Sequence, residues 1–89
     1  GNIKNSVNFP ELIEPRPSKF RITLSNNNHP GMIGKITTVL ADNILNIIDM
    51  VNKSRGEIAY NIIDLETKPP EKVLDELSSL DDVIYVREV

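Results

Sequence analysis

From Phe20 the chain alternates, with Phe20, Ile22 and Leu24 apolar and Arg21, Thr23 and Ser25 polar between them. A period of two sends the two sets to opposite faces, so this stretch predicts a half-buried strand. Beyond Gly31 the period changes: Met32, Ile33, Ile36, Val39 and Leu40 follow helical spacing as far as Asp42-Asn43. Leu45 to Lys53, rich in isoleucine and valine, predicts a second strand. Ser54-Arg55-Gly56-Glu57 predicts a hairpin turn, with Gly56 free to take positive φ, and Ile58 to Glu66 is the partner strand. Lys68-Pro69-Pro70-Glu71 breaks that strand and starts a second helix, in which Val73, Leu77 and Leu80 lie at i, i+4 and i+7. Asp81-Asp82 leads into a last strand, Val83 to Glu88.

The order strand, helix, strand, strand, helix, strand predicts an α+β fold, the ferredoxin-like βαββαβ sandwich. Its four-stranded antiparallel sheet carries two helices on one face. Right-handed crossovers place the first and third strands centrally and the second and fourth at the edges. The second strand, Ile47 to Lys53, is mostly apolar, with only Asp49 and Lys53 to discourage pairing, so a homodimer through this edge strand is expected.

Residues 1–18 contain Pro10, Pro15 and Pro17 and show neither period, which predicts an extended linker with Val7, Phe9 and Leu12 available to dock. The folded unit is expected over residues 19–89. The chain opens mid-pattern on GNIKNSVNFPE and reads as a piece cut from a longer polypeptide or as the product of processing.

A length of 89 residues allows one small domain, and 39% hydrophobic with 26% charged residues is globular composition. A net charge of -3 argues against a nucleic-acid partner. No apolar run reaches the roughly 18 residues a membrane span needs, and there is no signal-peptide pattern. The absence of cysteine removes disulfides, thiolate nucleophiles and sulfur-ligated metals, and fits a reducing cytoplasm. His29 is the only histidine, so neither a two-imidazole metal site nor a Ser-His-Asp arrangement is available, and it reads as an exposed loop residue. Asp75-Glu76 and Asp81-Asp82 read as solvated helix-end charges, and Asp64 and Glu66 as structural or exposed. GMIG has neither the dinucleotide nor the Walker spacing. No catalytic residues, metal or cofactor are expected in this chain.

Candidate binding chemistry lies in SNNNHPGMIGKI, Ser25 to Ile36. Asn26, Asn27 and Asn28 fall where a strand's end meets a helix's start, beside unpaired backbone N–H groups. Two readings are open. One asparagine caps the helix while the others solvate a turn; or the amides, which donate to a carboxylate and accept from an ammonium, bind a zwitterion, with Gly31 allowing close approach to the backbone.

NHPGMIGKITTVLADNILNIIDM resembles the signature of the ACT domain family: strand, Pro-Gly loop, helix, then an asparagine-isoleucine pair leading into the second strand. Ile58 to Glu66, with Tyr60 and Asp64, is similar to that family's third strand. The SVNFP lead-in resembles the segment joining the substrate-binding domain of the phosphoglycerate dehydrogenases to their C-terminal ACT domain. This resemblance implies an allosteric regulatory domain that binds an amino acid, L-serine, between two chains, within an NAD-dependent enzyme of serine biosynthesis. The implied effector residues are Asn26, Asn28, Gly31, Met32 and, from the other chain, Asn46. Asn26 stands where the serine-inhibited members carry a histidine, a departure that removes a possible cation. A structural dimerisation module with a degenerate pocket, and an ACT domain sensing another amino acid or serving another enzyme, remain alternatives.

Overall fold

The expected element order is observed: β1 (Phe20–Asn27), α1 (Met32–Asp42), β2 (Ile47–Arg55), β3 (Ile58–Leu65), α2 (Glu71–Ser79) and β4 (Val83–Glu88). The computed structural model describes residues 19–89, and the expected linker with Val7, Phe9 and Leu12 lies outside the described residues. The strands form one antiparallel sheet in the order β2-β3-β1-β4, with β2 and β4 at the edges.

Register follows the period of two. Ile22 faces Ile63 and Phe20 faces Leu65 across β1 and β3, which puts these side chains on the helix-covered side. There they meet Ile36 and Leu40 of α1 and Val73 and Leu77 of α2 in the buried core. Burying each such side chain stabilises the fold by about 1.5–3 kcal/mol. On the opposite face Arg21 lies across from Asp64, and its Nε and Nη2 each donate to a carboxylate oxygen at 2.9 Å. Asp64 is 1% exposed, so this fork-to-carboxylate pair satisfies a buried charge, as its structural reading anticipated.

Several boundaries differ from expectation for local reasons. β2 continues to Arg55 because Gly56-Glu57 suffices as the turn, with Gly56 at φ 65. α2 starts directly after Pro70, whose φ of -65 suits a helix start, but it ends at Ser79. Leu80, expected at i+7, is extended (φ -66, ψ 137) and reaches the core from outside the helix. α1 closes when the Leu45 N–H donates to the Leu40 carbonyl at 3.0 Å and the Ile44 N–H to the Ala41 carbonyl at 2.9 Å. That is a Schellman closure, and it puts Ile44 at φ 59, where glycine is usual.

Candidate functional site

The three asparagines do not form the expected loop. Asn26 and Asn27 continue β1, and Asn26 is 2% exposed. Its Oδ1 accepts from Asn61 Nδ2 at 2.8 Å, while Asn61 Oδ1 accepts from Asn52 Nδ2 at 2.6 Å. Asn61, completely buried, also donates to the Leu24 carbonyl at 3.3 Å. An amide chain thus runs across β1, β3 and β2 on the helix-facing side of the sheet. Asn61 and Asn52 escaped the sequence reading, yet a signal existed. Asn61 falls in register with Ala59 and Ile63, the inward set of β3, and a polar group there requires a polar partner.

The amide chain lies beside the start of α1. The helix N-cap is Gly31, at φ 88 and ψ -4, and no side chain caps it, so the capping reading of the asparagines does not hold. Gly31 has open space where a Cβ would stand; its requirement is the left-handed backbone. Among the described residues the N–H groups of Ile33 and Gly34 have no hydrogen-bond partner. They border a cavity of about 230 Å³ lined also by Asn26, Asn28, Gly31, Met32 and Asn52. His29 also borders it, so its polar chemistry is backbone and amide donors, amide oxygen acceptors and one imidazole. It can hold a small ligand with a carboxylate against the helix start and an ammonium near an amide oxygen. A groove of about 410 Å³ between α1 and α2 is larger, but Lys72, Asp75 and Glu76 on its wall mark a solvated helix face.

Two links hold the loop between β1 and α1. Asn28 ties it to the hairpin, donating its N–H to the Glu57 carbonyl at 2.8 Å and Nδ2 to the Gly56 carbonyl at 3.4 Å. His29 Nδ1 lies 3.0 Å from Asp82 Oδ2, while Asn27 Nδ2 donates to Asp82 Oδ1 at 3.2 Å. Asp82 is therefore a partner of the loop rather than a solvated helix-end charge. Hydrogen bonds from Asn27 first, then from His29, hold its carboxyl below the usual range. A depressed pKa in the folded state means that this contribution is present above the ordinary Asp range of about 3.9 and is lost as pH falls through the lowered value. The His29 ring resonances should therefore shift on acidification below pH ~3.9, and that step should vanish in Asp82→Asn; an unchanged step would remove the link.

Asn26, Asn28, Gly31 and Met32 meet at this cavity. Asn46 does not. It is exposed before β2, its Nδ2 3.3 Å from Glu66 Oε1, at the end of the sheet away from the cavity.

A ferredoxin-like sandwich with a small polar cavity where its first strand meets its first helix is the class defined so far. The chain belongs to the ACT domain family, whose sequence profile matches residues 20–82, and it is a regulatory domain of that family. It is 34% identical to D-3-phosphoglycerate dehydrogenase of Dictyostelium discoideum over 98% of this chain and 21% of that protein. With the Haemophilus influenzae D-3-phosphoglycerate dehydrogenase it shares 30% identity over 98% of this chain and 22% of that one. The chain thus spans about a fifth of the length of these relatives. The ACT domain from GTP pyrophosphokinase of Chlorobium tepidum superposes with a TM-score of 0.68, at 20% identity over 79% of this chain and 95% of that one, a likeness of fold alone.

Proposed function

We propose that this domain binds an amino acid, L-serine, between two copies of the chain and thereby restrains the active site of a cytoplasmic, NAD-dependent phosphoglycerate dehydrogenase, the enzyme that opens serine biosynthesis. In this reading residues 1–18 link it to the substrate-binding domain. The observation that carries it is the pair of unpartnered N–H groups at Ile33 and Gly34, opening on a cavity lined by the amides of Asn26, Asn28 and Asn52 beside His29. The ligand carboxylate accepts from these groups and from Asn28, and Asn46 arrives from the second copy. Antiparallel pairing of two β2 edges supplies the geometry, because it reverses one strand and brings the Asn46 end of one copy to the cavity end of the other. A ligand touching both copies favours the joined state, and coupling of this kind is commonly about 1–3 kcal/mol.

Calorimetric titration with L-serine tests the reading. Asn28→Ala should weaken binding by about tenfold, the value of one hydrogen bond to a charged group, while the melting temperature without serine stays nearly constant. The structural-module alternative has one observation in its favour: Asn26, Asn61 and Asn52 spend hydrogen bonds on one another. A stable dimer that gives no saturable heat with serine or any other amino acid would establish that alternative.

A further inference from the structure

Ile44 combines two features that its own chain does not explain. It is 90% exposed, and it holds φ 59 in the left-handed region. A side chain branched at Cβ is a genuine outlier there, where helices usually close on glycine or asparagine. Leu45 beside it, 9% exposed, is the residue that joins the core. Ile44 therefore gives this domain strain and exposed apolar surface without intramolecular packing in return.

Its location suggests what it contacts. Ile44 lies in the short link that feeds the edge strand β2, on the same border of the domain as the cavity. On α1, Val39 borders the groove to α2, and Asn43 Nδ2 donates to Glu76 Oε1 at 2.8 Å, so that flank faces the other helix. Ile33, 47% exposed, lies across the buried stripe of Met32, Ile36 and Leu40 from Val39 and borders the cavity with Asn52 of β2. The edge strand adds Ile48, 46% exposed. The cavity with Ile33 at its rim therefore sits at the hairpin end of the β2 border, and Ile44 at the opposite end.

We propose that Ile44 of one copy seats against Ile33 and Gly34 of a second copy and closes that copy's effector cavity. The proposal rests on the two-chain reading above and adds a closing residue to it. Charge on β2 favours a second copy as the occupant. Asp49 and Lys53 stand symmetrically about Val51 and, from their register with Asp64 and Tyr60, share the sheet face away from the helices. A two-fold axis at Val51 sets each Asp49 opposite Lys53 of the other copy, giving Asp49, a like-charge neighbour of Asp64, a cationic partner. The same axis brings each Ile44 to the other copy's cavity. Ile33, Ile44 and Ile48 are uncharged, so the border closes without burying an unpaired ion.

The whole chain, studied by sedimentation equilibrium and thermal melting, tests this with Ile44→Gly and Ile44→Asn, both compatible with a left-handed backbone. At concentrations where the chain is monomeric, each variant should melt higher than the parent, by about 5 °C for glycine, as the backbone strain is relieved. In the same variants the dimer dissociation constant should rise by about tenfold or more, since the anchor is gone. Higher melting with weaker dimers is a combination that no purely local role produces. An unchanged dissociation constant in a chain that does dimerise would overturn the role of Ile44 and leave the effector reading standing. A parent chain that stays monomeric at about 100 µM, at the low-affinity end for specific dimers, would overturn both.

Discussion

Replacing Asn61 by alanine should lower the unfolding free energy of the chain by about 3 kcal/mol. The side chain is completely buried and holds three groups at once: Asn26 Oδ1, Asn52 Nδ2 and the Leu24 carbonyl. Alanine offers none of these bonds and leaves a void. Each buried polar group stripped of its partner costs about 1–3 kcal/mol, and only Asn52, which is exposed, can turn to water instead. For a domain of this size such a loss corresponds to a melting temperature lower by about 15 °C. Asn52→Ala removes an outer member and should cost about 1 kcal/mol. Urea unfolding of the two variants measures the contrast. A loss below about 1 kcal/mol for Asn61→Ala would mean that water satisfies the amide chain in place of Asn61.

Asn61 also marks the limit of what the sequence disclosed. The periods of two and 3.6 were enough for the six elements and the sheet order, since each buried face is written by residues such as Ile22, Leu24, Ile36 and Leu77 that can go nowhere else. Asparagine carries no comparable signal. Its low propensity for strands argued for a loop at Asn26 and Asn27, but partners on β3 and on the α2–β4 turn made strand residues of both. Those partners are distant in sequence, and period alone does not pair them. The cap of α1 was missed for a related reason, because Gly31 closes the turn through its backbone and leaves no side-chain signature. Four of the five site residues expected from the family resemblance do surround one cavity, and the fifth, Asn46, lies at the far end of the sheet.

That separation makes the two-chain claim directly measurable, and its expected effect is a loss of affinity in each variant followed by partial recovery on mixing. Asn28→Ala and Asn46→Ala should each reduce serine affinity by about tenfold or more as separate proteins, because every site in either homodimer lacks one hydrogen bond to a charged group of the ligand. In a mixed dimer the mutations fall together. One site loses both asparagines, while the other is built from the intact Asn28 of one copy and the intact Asn46 of the other. Random assortment of an equimolar mixture gives mixed dimers as about half of the total, so about a quarter of the parent number of high-affinity sites should return on mixing. Calorimetric titration of L-serine into the two variants separately and then into their re-equilibrated mixture is the decisive measurement. Recovery of about a quarter of the sites at parental affinity is the predicted result; a mixture that binds serine no better than its separate components would contradict a site shared between two chains.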